Sequence, residues 1–339
     1  MNHPVLSLLS LILLSSSAWA VVNGSPVDWE AKDNAVRLEN SINKGSCSAT
    51  LVSGRYVLTA AHCLDGTGIN TIVTASGDTI SFSQTVMHPD YVNEQGIYKD
   101  VGIVTLDKPV DYAAIQFLNI DNRIEDEPIT IAGFGGTIET LNAVELAFSH
   151  YHWAYPFALY ADVVNLDSHT VEGDSGAPWI NKTNDIMAIH NGSTFNSSSN
   201  ERPTYATDIQ AVQDFLTENI NAWHYPTLAE VNGRTTITVQ SLHQSGITDT
   251  AYVQGNITLI PESSTCVTEG LIEPFEQCTY VIEGSSGEEG QLYLSDSEVI
   301  HINKPKVDNG GTSSSGSSGG SLGFLSLLGL AVFGRLRKR

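Results

Sequence analysis

Between Val21 and about Ala222 the chain is cut into short runs rich in valine, isoleucine and threonine. The cuts are turn-forming clusters such as Asn23-Gly24-Ser25-Pro26 and Ser76-Gly77-Asp78. Side chains branched at Cβ suit a pleated strand, and closely spaced turns leave no length for long helices. This stretch is therefore expected to be all-β, a barrel or a sandwich. One segment departs from the pattern. Asp208 to Ile220 carries Ile209, Val212, Phe215 and Leu216 on one face at helical spacing, which predicts a single helix closing the domain.

From His224 to Lys304 strand-like runs return, among them Thr235-Thr236-Ile237-Thr238-Val239 and Tyr280-Val281-Ile282, without a cluster of reactive side chains. A small β-sandwich over 223–305 is expected there. The chain has four cysteines, at 47, 63, 266 and 278, which fall into two local pairs. Two disulfides made in an oxidising compartment fit that arrangement, one in each folded part. Zinc binding by four cysteines would favour the close two-residue spacing that neither pair has. Nothing in the sequence calls for a metal or an organic cofactor.

Both ends read as addresses. Residues 1–20 run from Met1 through an apolar stretch, Val5 to Leu14, into Ala18-Trp19-Ala20, the pattern of a secretory signal peptide; the bland alternative is a buried helix. At the other end, 306–320 is a linker in which Gly310 to Gly320 is almost entirely glycine and serine. Such a composition cannot offset the entropy of folding. It leads into 321–339, where a weakly apolar run from Ser321 to Gly334 precedes Arg335-Leu336-Arg337-Lys338-Arg339. As a helix that run spans about 21 Å, short of the roughly 30 Å of a bilayer core. Its basic end favours the cytoplasmic side.

The double glycine, short apolar helix and basic end resemble the GlyGly-CTERM sorting signal of Gram-negative surface proteins. That resemblance implies removal by a rhomboid-type protease, contact with the membrane only through the tail before its removal, and a mature protein secreted or held on the outer cell surface. The formal net charge of −22, from 38 acidic against 16 basic residues, repels phosphate backbones and argues against nucleic acid as a partner.

Three segments carry chemistry. In the first, Cys47-Ser48-Ala49-Thr50-Leu51-Val52 is followed by Val57-Leu58-Thr59-Ala60-Ala61-His62-Cys63. A disulfide closing that loop would contribute about 3 kcal/mol and fix the histidine as a base. In the second, Lys99-Asp100-Val101-Gly102-Ile103-Val104 puts a carboxylate at the mouth of an apolar strand, suited to orient one imidazole nitrogen. In the third, Glu172-Gly173-Asp174-Ser175-Gly176-Ala177-Pro178 has glycines that let the chain turn sharply and let substrate approach Ser175, with the N–H groups of Gly173 and Ser175 available to an oxyanion.

Together, in this order, the segments resemble the signature motifs of the chymotrypsin family of serine proteases, over about residues 21–222. Met87-His88-Pro89-Asp90-Tyr91 and Ile131-Ala132-Gly133-Phe134-Gly135 are further matches. The resemblance implies a chymotrypsin-like double β-barrel and an exported serine endopeptidase acting on proteins or peptides. It implies Ser175 as nucleophile, His62 as general base and then acid, and Asp100 as orienter. Val21-Val22-Asn23-Gly24 is similar to the family's activation sequence and starts immediately after Ala20, so Val21 is expected to pair with Asp174 once signal peptidase has cut.

His169 stands where trypsin-type members carry the aspartate that selects Arg or Lys, which speaks against cleavage after basic residues. Thr170 and His190 resemble the pocket of glutamyl endopeptidases, where a hydroxyl and a histidine hold the substrate carboxylate. Glu172 and the acidic surface disfavour an acidic substrate, and a structural role for His190 stands beside that reading. The alternative of another class is an inert protease-fold adhesin whose C-terminal β-domain does the binding.

Overall fold

The computed structural model describes residues 21–305 other than 44, 95, 138, 166 and 200. The expected signal peptide, linker and sorting tail lie outside the described residues. What is described is all-β, with two short α-helices, Gln213–Ile220 and the single turn Thr265–Thr268.

Two seven-stranded antiparallel sheets make up the first two hundred described residues. The first, in the order Thr79–Ser81, Thr71–Val73, Ala35–Glu39, Ser46–Val52, Tyr56–Thr59, Gly102–Thr105, Gln84–Met87, curls into a half-barrel. The second closes on itself, because Pro128–Gly133 pairs with both Leu141–Tyr151 and Pro178–Ile180. Six strands thus form a closed barrel, with Ser25–Val27 added beside Leu141–Tyr151. Alternation explains the cores. In Pro128–Gly133, Ile129 and Ile131 point inward with Val144, Leu146 and Trp179, while Pro128 and Thr130 face water.

The longer helix is Gln213–Ile220, entered through a 3-10 turn at Gln210–Val212. Val212, Phe215, Leu216 and Ile220 lay one apolar stripe on the core of the half-barrel. It stops at Asn221, whose left-handed φ of 44° lets its N–H reach the Thr217 carbonyl.

From Trp223 onward two four-stranded sheets face each other over a core of Ile237, Val239, Tyr280, Ile282, Leu292 and Ile300. The Cys266–Cys278 disulfide ties a helical turn to one of these sheets. This sandwich is bonded to the barrels through buried polar groups. The His224 Nδ1 accepts the Ser53 N–H at 3.1 Å, and its Nε2 donates to the Gln116 carbonyl at 3.0 Å. Burial pushes this ring down to about 4, against the pull of the Gln116 bond, so it stays neutral and makes both bonds. Tyr112 accepts from the Gly54 N–H and donates to the Tyr225 carbonyl. Gln240 pairs with Leu118 as a peptide unit would, accepting from its N–H and donating to its carbonyl.

Candidate active site

Strand register brings the first two motifs together. Thr59 lies opposite Gly102 in the antiparallel pair Tyr56–Thr59 and Gly102–Thr105. The residues just after the one strand and just before the other must then meet, and these are His62, on the turn Ala61–Cys63, and Asp100. The Asp100 Oδ1 accepts the backbone N–H of His62 at 2.9 Å, and Oδ2 sits 2.6 Å from the ring Nδ1. The carboxylate therefore holds the backbone as well as the ring. Burial works to lower the affinity of His62 for a proton, but the hydrogen bond and charge of Asp100 outweigh it, and the net shift is upward. The Cys47–Cys63 disulfide fastens the histidine turn to the neighbouring strand Ser46–Val52.

The third motif is a turn held from both barrels. The half-barrel supplies Ser48, whose N–H donates to the Ser175 carbonyl and whose hydroxyl donates to the Gly173 carbonyl, each at 2.8 Å. The closed barrel supplies the His190 carbonyl, which accepts the Gly176 N–H at 2.8 Å. Gly176, at φ 84°, has no room for a side chain: a Cβ would collide with the Thr59 hydroxyl and the Ser48 carbonyl. Gly173 is also left-handed, at φ 99°. Among the described residues, the N–H groups of Gly173 and Ser175 donate to no protein acceptor, as an anion-binding pair requires.

The Ser175 hydroxyl reaches the Asn191 carbonyl at a long 3.5 Å, and among the described residues no hydrogen bond joins it to the His62 ring. Catalytic hydrogen bonds are commonly slack before substrate arrives. The groups are nevertheless linked. Asn191 donates its amide to the Thr207 hydroxyl at 3.0 Å, and the same hydroxyl accepts the Asp100 N–H at 3.1 Å.

Asp174 is fully buried, and burial pushes its carboxyl up to about 6 against the opposing N–H bonds from Val171 and Gly135. Among the described residues Val21, equally buried, makes no hydrogen bond to Asp174. Its nitrogen, a peptide amide in this uncut chain, donates to the Gly135 carbonyl at 3.0 Å, one peptide away from the carboxylate. Val21 also has a φ of 46°, a costly conformation for a β-branched residue.

In the expected substrate pocket His190 is buried, accepts the Trp179 indole N–H at 3.3 Å on Nδ1, and is pushed down to about 3 by burial and by His62. The neutral ring then carries its proton on Nε2. The Thr170 hydroxyl is buried with no partner among the described residues, and the Ser193 hydroxyl donates to the Thr170 carbonyl at 3.2 Å. Burial also lowers His169, whose Nδ1 is buried and without a partner. Sequence reasoning missed Ser48, Asn191, Ser193 and Thr207. None belongs to a local pattern of its own; strand pairing places Asn191 beside Thr207, and the meeting of the two sheets brings Ser48 to the Ser175 turn and Thr207 to Asp100.

A family model described as trypsin matches residues 21–216. Trypsin of Saccharopolyspora erythraea is 27% identical over 227 residues, covering 60% of this chain and 99% of its own length. The vitellin-degrading protease of Bombyx mori is 26% identical over 204 residues, covering 52% of this chain and 76% of its own. Among solved structures, neuropsin, a serine protease of mouse brain, superposes with a TM-score of 0.51 at 18% identity, covering 58% of this chain and 99% of the other. A mutant of human heparin binding protein does so with a TM-score of 0.52 at 17% identity, covering 59% and 97%.

Proposed function

The chain belongs to the trypsin family, and on that premise we propose that it is an exported serine endopeptidase working through Ser175, His62 and Asp100. The observation that carries this reading is the 2.6 Å contact of His62 Nδ1 with Asp100, which turns Nε2 into the base, together with the two free N–H groups at Gly173 and Ser175. Ser175 gives its proton to His62 Nε2 as its oxygen attacks the substrate carbonyl. The oxyanion is received by the N–H groups of Gly173 and Ser175. His62 returns the proton to the departing amine, and water, activated by the same ring, releases the acyl group. A fluorophosphonate probe tests this directly. It is expected to bond to Ser175 in the folded protein and to fail in His62→Ala; a folded wild-type protein that takes up no label overturns the reading and leaves the adhesin alternative.

Acid sensitivity follows from the histidine. A base must be unprotonated, and the proton affinity of His62 is raised above its ordinary 6.5, so the inactive protonated form persists to higher pH. The acid limb of kcat/KM is expected to have its midpoint above 6.5. In Asp100→Asn, which loses both raising influences and keeps the burial, the limb moves to lower pH while the rate falls. A wild-type midpoint below 6.5, or one unmoved in Asp100→Asn, contradicts this.

On the same premise the pocket beside Ser175 takes an acidic side chain through Thr170 and His190. Among the described residues the Thr170 hydroxyl has no partner, and with Nδ1 taken by the Trp179 indole the His190 proton sits on Nε2, a pair of donors that suits a carboxylate better than a cation. Peptide-library cleavage is expected to be enriched after Glu, and a pure Arg/Lys profile rules the pocket out.

Export is carried by residues 1–20 and 306–339. Cleavage after Ala20 would free the Val21 ammonium beside the buried Asp174 carboxyl, relieving an isolated charge; a mature terminus other than Val21 removes this step. The protease domain is taken as 21–222 and the sandwich as 223–305.

A further inference from the structure

Beside His62 lies a cleft of about 410 Å3 whose lining includes four tyrosines. Tyr91 and Tyr98 come from the loop leading into Gly102–Thr105, and Tyr160 and Tyr205 from the closed barrel. Tyr160 and Tyr205 stand directly opposite one another on paired strands, their rings 6.1 Å apart. Tyr205 also covers Gly192, where a Cβ would meet its hydroxyl at 2.9 Å. That wall is packed in place.

From Tyr160 the ring contacts continue outward. His152 lies 6.0 Å from Tyr160, 5.1 Å from Tyr155 and 6.0 Å from Trp153. These residues sit on a tight loop closed by the His152 N–H to the Ala158 carbonyl and the Ala158 N–H to the Tyr155 carbonyl, both 2.9 Å. Ala158 itself lines the cleft. At the outer end Trp153 is 92% and Tyr155 45% exposed. An isolated exposed aromatic needs no explanation, but an uncovered indole at the end of an unbroken row of rings starting beside the catalytic histidine marks a surface that something covers.

We propose that this row is a docking track for proline-rich, polyproline-II segments of the substrate chain, with Trp153 and Tyr155 as its outer anchor. The proposal rests on the protease reading, because the occupant is the polypeptide whose scissile bond lies at Ser175. Polyproline II makes no internal hydrogen bonds, so its carbonyls are free to accept from tyrosine hydroxyls, while proline rings pack on aromatic faces at little entropic cost. Charge sets one limit on the occupant. Among its described lining residues the cleft has Glu94 and Asp100 and neither lysine nor arginine, which turns acidic segments away and leaves neutral ones unaffected.

The test compares peptides sharing one scissile sequence and carrying a proline-rich extension, a Gly-Ser extension, or a Gly-Ser extension bearing a glycan. Wild-type kcat/KM is expected to be about tenfold or more higher for the proline-rich peptide than for the plain Gly-Ser one, and the ratio to fall towards one in Trp153→Ala/Tyr155→Ala. Equal rates on the first two, or a gain confined to the glycan-bearing peptide, overturn the proposal. A binding measurement separates this from failure of the protease reading. In Ser175→Ala protein, a decaproline peptide is expected to shift the indole emission, and Trp153→Phe added to that protein abolishes the shift. An unchanged emission sinks the docking track whether or not the protein cleaves anything.

Discussion

On the proposed triad, Ser175→Ala is expected to lower peptide hydrolysis by about five to six orders of magnitude, because a nucleophile and its base act as a unit and removing either removes nearly all of their joint contribution. What survives would come from the proposed oxyanion-binding N–H groups of Gly173 and Ser175 and from substrate binding, which the variant keeps. Stability is expected to change by less than about 0.5 kcal/mol. The hydroxyl contributes only one long bond to Asn191, and the turn is held through backbone groups by Ser48 and His190. Initial rates on a peptide substrate, read beside a urea unfolding curve, check both halves. A variant that hydrolyses peptides at a tenth of the wild-type rate would remove Ser175 from the chemistry. The comparison has weight because a superposable fold is shared by proteins named for proteolysis and by one named for heparin binding; the fold by itself selects neither.

Gly176→Ala is expected to be the more damaging to the fold, although it adds a single methyl group. The new Cβ would point into the Thr59 hydroxyl and the Ser48 carbonyl, with the Ala60 nitrogen 3.0 Å away, at a φ of 84°. Two of those atoms are backbone of the half-barrel and cannot swing aside, so the turn must lift off the sheet. A loss of more than about 3 kcal/mol follows from strain and overpacking together, and labelling of Ser175 should fall even in the fraction that remains folded. Gly66→Ala is the matched control. It has a similar φ of 66° but nothing within 4 Å of its Cβ, so it bears only the left-handed penalty of about 1–2 kcal/mol. Equal urea midpoints for the two variants would mean that the nucleophile turn does not dock on the half-barrel.

What was legible in the sequence was local. The strand-and-turn rhythm of 21–222, the single helix, the short-range cysteine pairs and the three reactive segments each occupy a few neighbouring residues. The strands and both disulfides appear as expected, while the helix starts at Gln213 rather than Asp208, because Asp208 ends the strand Thr204–Asp208 and a 3-10 turn at Gln210–Val212 follows it. Register was not legible. That Thr59 faces Gly102, and so delivers Asp100 to His62, is a property of the paired sheet and of neither strand alone. The same holds for Thr207, whose strand pairs with the one that carries Asn191 and whose hydroxyl reaches across to Asp100 of the other sheet. Closure of one sheet and not the other depends on Pro128–Gly133 finding two partners, which no periodicity encodes. The aromatic row beside the cleft escaped for a related reason: in sequence Tyr160 and Tyr205 are ordinary strand residues, and they become a wall when paired.

The bonds that seat the sandwich on the barrels also set a timetable for the nascent chain. Ser53 waits for His224 across 171 residues, Leu118 for Gln240 across 122, and Tyr112 for Tyr225 across 113. Until those late residues emerge, the N–H of Ser53 and the peptide groups of Leu118 lack these partners and the Tyr112 hydroxyl, which accepts from the Gly54 N–H, lacks its acceptor, all at positions that end up dry; each such group left unmet in a buried setting costs about 1–3 kcal/mol. Contacts of this span also form slowly. A protease whose barrels wait for residues 224 to 240 is kept immature until synthesis has passed both barrels and entered the sandwich.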